Sequence, residues 1–140
     1  MKIQVVIGTN YGDEGKGRMV SFLASKNPNS IVVRFNGGSQ AAHRCVVNGT
    51  SHIFKHFGAG TLSGCRTFLT KDFIINPIMF FEELEILNKK GFFPKVMFDN
   101  CSVTTPYDMM LNQWIEEDRG DNRHGSCGLG INETVTRQQT

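Results

Sequence analysis

The sequence carries almost no excess charge: 15 Lys and Arg oppose 13 Asp and Glu, a formal net charge of +2 over 140 residues. Signs so nearly balanced leave no electrostatic footprint for nucleic acid or for an anionic membrane surface. Long apolar runs are missing as well. None exceeds five residues, against the ~20 that a membrane-spanning helix needs. No basic start followed by an apolar core and a small-residue cleavage site is present, so the expectation is a cytoplasmic protein without an export signal. The four cysteines, Cys45, Cys65, Cys101 and Cys127, stand 20, 36 and 26 residues apart. Without a C-x-x-C pair the spacing gives no zinc site, and four reduced thiols are expected.

What the chain has in excess is glycine, 15 of 140 residues, nearly 11% against a usual ~7%. Leu, Ile, Val and Phe supply more than a quarter of the chain, above the ~20% below which disorder is expected. The length fits one domain able to bury a core. No internal repeat, low-complexity tract or linker interrupts it.

The hydropathy pattern alternates strands with helices. Ile3–Ile7 (IQVVI) reads as a strand hydrophobic on both faces, as in the middle of a covered sheet. After the loop TNYGDEG, Lys16–Lys26 reads as a helix with Met19, Val20, Phe22 and Leu23 inward, stopped by Asn27-Pro28-Asn29. Ile31–Phe35 is a second strand. Cys45–Val47 and His52–Phe57 flank Asn48-Gly49, which predicts a hairpin with a type I′ turn. Asn76 and Pro77 are the N-cap and first residue of the next helix. Its stripe is Phe80, Phe81, Leu84 and Leu87, with Glu82, Glu83 and Glu85 early and Lys89 and Lys90 before Gly91, charges that complement the helix dipole. Val96–Phe98 is another strand. Thr105-Pro106 opens a helix with Tyr107, Met110, Leu111, Trp114 and Ile115 on one face, ended by Gly120. The glycine-rich loop GSCGLG, Gly125–Gly130, follows. This alternation predicts an α/β fold with a mostly parallel sheet, flanking helices and a β-hairpin insertion.

The segment Gly8–Gly17, GTNYGDEGKG, lies between the first predicted strand and helix. Gly12, Gly15 and Gly17 allow close backbone approach, the helix start offers unpaired N–H groups, and Lys16 adds a cation. Those are the parts of a phosphate cradle, and equally of a glycine-rich strand–helix turn. The strict P-loop pattern fails at Asn10 and Gly17. Asp13 and Glu14 would repel a phosphate unless a cation or a proton transfer uses them; alternatively they only favour the helix N-terminus.

At GTNYGDEGKGR the sequence resembles the adenylosuccinate synthetase family, whose opening motif is G-x-Q-W-G-D-E-G-K-G-K; Tyr11 stands for the Trp and Asn10 for the Gln. Arg34–His43, RFNGGSQAAH, is similar to the family's R-x-x-G-G-x-N-A-G-H, with Arg44 in place of the Thr that follows. GSCGLG is similar to G-T-T-G-R-G. The resemblance implies a P-loop-like GTP site in a large central sheet, usually in a homodimer, and GTP-driven joining of L-aspartate to C6 of inosine monophosphate (IMP) with Mg²⁺. By position, Asp13 would take the purine N1 proton and ligate Mg²⁺ with the Ala42 carbonyl. His43 would act as the acid. Lys16 and the amides of Gly12, Asp13, Glu14, Gly15 and Gly17 would hold the GTP phosphates. Asp13, Gln40, Ser126 and Cys127 would face the IMP. His52, His56 and His124 find no support in these motifs and are expected to be ordinary surface or hairpin residues.

Several positions depart from the family pattern. Gln40 and Cys127 replace an Asn and a Thr that hold the nucleotide phosphate, and a thiol is a weak donor. Leu129 replaces an Arg associated with aspartate, and Leu offers no bidentate contact to a carboxylate. Ala42 replaces a Gly, Asp108 a His, and Asn132-Glu133 a Gly-Pro. The family's later Thr-Lys-x-Asp and arginine-rich segments do not occur, so residues 1–140 are expected to be the N-terminal part of the nucleotide-binding domain, truncated. Three outcomes stay open at this point: a ligase of this or a related specificity, a nucleotide-binding module without turnover, and an inert fragment.

Overall fold

The computed structural model describes residues 2–10 and 12–139; Tyr11, in the first glycine-rich loop, lies outside them. Helix α1 (Lys16–Lys26) leads into β1 (Ile31–Arg34) and β2 (Gly37–Gly38). The antiparallel hairpin β3 (His43–Val47) and β4 (Thr50–Phe54) comes next. Strands β5 (Arg66–Leu69) and β6 (Phe73–Ile75), helix α2 (Pro77–Lys89), and strands β7 (Val96–Phe98) and β8 (Ser102–Val103) follow. Helices α3 (Pro106–Asp118) and α4 (Ile131–Gln139) close the chain.

Two parallel sheets form, ordered β1-β5-β7 and β2-β6-β8. Each strand of the second follows directly on its counterpart in the first, so three passes of the chain bend together. The bend is joined by backbone hydrogen bonds from Thr70 N to Arg34 O and from Asp99 N to Leu69 O, at 3.1 and 2.9 Å. Parallel neighbours need a crossover; α2 supplies it from β6 to β7, and the hairpin lies in the crossover from β2 to β5. The mostly parallel sheet with flanking helices and an inserted hairpin is the architecture that the alternation implied. Among the described residues no helix is long and apolar enough to cross a membrane.

The local signals explain most elements. Asn76 caps α2, accepting from Met79 N at 3.1 Å, with Pro77 at the first position. Thr105 and Asp108 form a reciprocal capping box on α3. Asn48 and Gly49 take φ values of 48° and 78°, the pair of positive angles a type I′ turn requires. The hairpin then alternates, turning Cys45, His52 and Phe54 inward. These meet Phe57, Ala59, Leu62 and Leu87 in the core, with Val20, Phe80 and Leu84 packed around them.

Three sequence expectations fail. Residues 3–7 form no strand, and Ile3, Val5 and Ile7 are 74%, 70% and 74% exposed. A segment apolar on both faces needs cover on both faces, and Ile31 and Val33 of β1 and Phe35 just after it are likewise exposed. On α1 the buried residues are Ser21 and Ala24, while Met19 and Phe22 face outward. On α3, Asp108 and Asn112 are buried and Tyr107, Met110, Leu111 and Trp114 are exposed. Polar bonds decide that orientation: Arg137 of α4 binds both Asp108 oxygens at 3.0 Å, and Asn112 Nδ2 donates to Glu133 Oε1 at 3.1 Å. The Arg137 guanidinium first of all holds the Asp108 carboxyl down at about 2. The sequence pattern also passes over β2, β5, β6, β8 and α4.

Leu87 is fully buried whereas Phe81, six residues before it in the predicted stripe, is 65% exposed. Leu87→Ala is therefore expected to cost about 2–5 kcal/mol in urea unfolding. Phe81→Ala should change the same measurement by less than about 1 kcal/mol.

Candidate functional site

The first glycine loop turns into α1 without a capping side chain. Gly15 occupies the N-cap at φ 77°, a left-handed angle, and among the described residues no side chain caps the helix start. The orphan N–H groups and the positive end of α1 are thus open to an anion. Asp13 holds a φ of 54°, uncommon for a residue with a side chain. Glu14 accepts from the Asn10 amide and pairs with Lys16 Nζ at 2.5 Å. Lys16, then the Asn10 amide, lower the Glu14 carboxyl below its ordinary range.

The second loop comes against the first because Gly17 has no side chain. A Cβ there would overlap the His43 ring. Between the two loops opens a cleft of about 760 Å³, lined by residues 12–18, by 32–36 of β1 and its end, by 40–44, and by Gly58 and Ala59. Asp13, Glu14, Lys16, Gln40, Ala42 and His43 therefore share one cavity. Arg18 and Arg44 also line it.

Burial, then the nearby Arg34 charge, push the His43 imidazole down to about 4, against an opposing hydrogen bond to the Ala41 backbone and the Glu83 charge. At neutral pH it is uncharged, so in this cleft it serves as a hydrogen-bonding group and not as a standing imidazolium. Arg34 enters from the end of β1. Its Nη1 donates to Lys55 O and its Nη2 to Ala41 O at 3.0 Å, while the guanidinium lies 4.7 Å over the Phe73 ring. Burial lowers its pKa to about 10, which leaves it a cation.

The third loop stands apart. Ser126 donates from Oγ to Asn112 Oδ1 at 2.7 Å and from N to Glu116 Oε2 at 3.1 Å. Ser126 and Cys127 are exposed and do not line the cleft. Just past that loop, Ile131 of α4 packs on the second loop at Gly38, where a Cβ would meet Ile131 Cδ1 at 2.9 Å and Gln40 Oε1 at 3.0 Å.

His52 and His56 are not surface residues: they are 4% and 0% exposed. Glu83 of α2, itself buried, draws them in. Its carboxylate accepts from Lys55 N at 3.1 Å to each oxygen and from His56 N at 2.7 Å. His52 Nε2 is 3.4 Å from Oε1, and His56 Nδ1 is 3.4 Å from Oε2, an electrostatic contact. His56 Nε2 accepts from Asn76 N at 3.1 Å, and Lys90 Nζ reaches His52 Nδ1 at 3.3 Å. Burial would raise the Glu83 carboxyl, but His52, His56 and the two amides outweigh it and hold it at about 2. His124 is exposed, as expected. The sequence reading missed Arg34 and Glu83 as participants. The signal was there: Glu83 falls at i+3 from Phe80 and i−4 from Leu87, inside the apolar stripe. Arg34 is the charged end of an otherwise β-branched strand.

Could this cleft hold a divalent cation? Among the described residues no cluster of three His, Cys, Asp or Glu side chains is suited to a metal. The Asp13 carboxylate and the Ala42 carbonyl, both on the cleft, are hard oxygen donors. They suit Mg²⁺, which binds through one or two carboxylates plus phosphate oxygens and keeps several waters.

A profile of the family described as adenylosuccinate synthetase matches residues 5–140. The chain is 36% identical over 132 residues to the adenylosuccinate synthetase of Borrelia duttonii, covering 94% of this chain and 30% of that protein. It is 34% identical over 134 residues to that of Acetivibrio thermocellus, covering 94% and 31%. Its fold matches the fully ligated adenylosuccinate synthetase from Plasmodium falciparum with a TM-score of 0.79 at 22% identity, over 94% of this chain and 31% of the other. A cyanophage S-2L succinoaminodeoxyadenylate synthetase bound to dGMP and dATP matches with a TM-score of 0.58 at 19% identity, over 91% and 40%. The chain thus spans about 30% of the length of the curated relatives it matches.

The His43 and Glu83 shifts give separate acid windows. The folded His43 pKa lies below the unfolded value of about 6.5, so the unfolded chain binds more protons between about 6.5 and 4, and stability falls as pH drops through that range. Glu83 adds a loss only below about 4.5, extending to about 2. Urea midpoints measured from pH 7 to pH 3 should fall in both windows, and His43→Asn should remove the upper one.

Proposed function

The chain belongs to the adenylosuccinate synthetase family, and on that premise we propose that its cleft holds the phosphates of GTP for the joining of L-aspartate to C6 of IMP. The observation that carries the reading is the convergence of the two loops: residues 12–17 and Gln40, Ala42 and His43 line one cavity at an uncapped helix N-terminus. Residues 1–140 supply the N-terminal part of the nucleotide-binding domain in this reading. A cytoplasmic homodimer as the working form belongs to the same proposal.

Phosphoryl transfer is mostly positioning and neutralisation of charge. The first-turn amides and Lys16 receive the phosphate oxygens, with Lys16 exchanging its Glu14 partner for them. The Asp13 carboxylate and the Ala42 carbonyl would hold Mg²⁺, which when bound would supply neutralisation of phosphate charge. The Asp13 carboxylate takes the N1 proton of the purine as O6 attacks the γ-phosphorus of GTP and GDP leaves. The neutral His43 ring donates a hydrogen bond to the oxygen where charge gathers; arriving phosphates favour its protonated form and so make it a better acid. The aspartate amine then displaces the 6-phosphoryl group as inorganic phosphate. Gln40, on the cleft wall, would donate to the IMP, and Ser126 and Cys127, which do not line the cleft, would reach that nucleotide only with the third loop moved toward it.

A second reading is a related ligase for another purine nucleotide or amino acid. Leu129, half-buried in the third loop, favours it, since no guanidinium stands there to meet a dicarboxylate.

Phosphate release from Mg²⁺–GTP tests both. The first reading predicts release only when IMP and L-aspartate are both present, and a loss of about 10²–10⁴-fold with Asp13→Asn. Release that needs a 6-oxopurine nucleotide but a different amine supports the second. Release from GTP alone contradicts both, and GTP binding without any release, unchanged by Asp13→Asn, identifies a binding module.

A further inference from the structure

Glu83 lines no part of the cleft, yet an unbroken set of polar contacts leads from it to the second loop. Its buried carboxylate fixes the amides of Lys55 and His56 just past the end of β4. The carbonyl of the same residue, Lys55, accepts Arg34 Nη1, and the other nitrogen of that guanidinium holds Ala41 O at 3.0 Å. Ala41 is followed directly by Ala42 and His43. The Phe73 ring lies beneath the guanidinium, and the Ala41 N–H itself donates to Gly38 O at 3.0 Å, so both backbone polar groups of Ala41 are tied.

We propose that Glu83 and Arg34 are positioning residues for the second loop: the carboxylate on α2 sets the Lys55 carbonyl, and the Arg34 fork spans from that carbonyl to Ala41, fixing where Ala42 and His43 face the phosphate loop. The proposal rests on the reading of the cleft given above. Its chemical requirement is specific. A planar guanidinium bonds two carbonyls from segments 14 residues apart in sequence, Ala41 and Lys55; an ammonium keeps the charge but not the fork. A purely stabilising network would make a different demand, since any substitution of equal cost would then act alike.

The test uses the whole chain and four proteins: wild type, Glu83→Gln, Arg34→Lys and, as a destabilised control whose side chain makes none of the relay's polar contacts, Leu87→Ala. Hydrogen exchange at the Ala41 amide reports the loop directly, and calorimetric titration with Mg²⁺–GTP reports the cleft. At a denaturant-matched stability, Glu83→Gln and Arg34→Lys should speed Ala41 exchange about tenfold or more and weaken Mg²⁺–GTP by a similar factor. Leu87→Ala should do neither. Wild-type exchange and affinity in Arg34→Lys, or equal changes in Leu87→Ala, would overturn the proposal. If Glu83→Gln does not melt cooperatively, Arg34→Lys decides alone. Should the wild type fail to bind Mg²⁺–GTP, the functional reading falls, while Ala41 exchange still decides whether the relay positions the loop.

Discussion

The contact on which the site depends is the His43 ring against the bare backbone of Gly17. A side chain at position 17 would drive the rings and loops apart, and the helix N-terminus would then face solvent instead of a second wall. Because the contact falls in the first turn of α1, it brings a half-buried imidazole, a backbone carbonyl and a carboxylate on a left-handed residue to the place where unpaired amides already gather. A phosphate site at a helix start needs only the amides. Chemistry on the phosphate needs the second wall, and Gly17 is what lets it approach.

How much of this was legible beforehand depended on whether the cause was local. The capped starts of α2 and α3, the Asn48-Gly49 turn and the three glycine-rich loops are written in a few adjacent residues and came through. The pairing of the first two loops into one cleft was implied only by the family resemblance, because residues 12–17 and 40–43 are separated by a helix and two strands. Short strands such as β6 and β8 carry too few residues for a period to show. Burial was read least well. The apolar stripe of α3 faces outward because Asp108 and Asn112 find partners on α4, at Arg137 and Glu133, and no pattern within α3 announces a partner some 20–30 residues on. Glu83, His52 and His56 repeat the lesson: three ionisable residues entered the interior together because each satisfies another, which single-residue hydropathy does not register.

The polar interior also bears on the site. Buried charges are costly unless fully partnered, and here the partners of Glu83 and Arg34 are backbone groups at defined places, so the expense of burying them is offset by fixing the chain's path around the cleft. The apolar core and the cleft thereby share elements: β4 contributes Phe54 to the first and leads directly to the Lys55 peptide that Arg34 grasps. Departures from the family pattern fall on both sides of the cavity wall: Gln40, Ala42 and Arg44 line it, while Cys127 and Leu129 of the third loop lie outside it.

The central claim, that residues 12–17 and 40–44 form one phosphate-binding cleft, is tested most directly by mapping amide chemical-shift changes as Mg²⁺–GTP is added to the isotopically labelled chain. The account predicts that the largest changes occur together, with one common dissociation constant, at Gly12 to Gly17 and at Gln40 to Arg44. Changes confined to one of the two loops, or centred on Gly125 to Gly130, would contradict it.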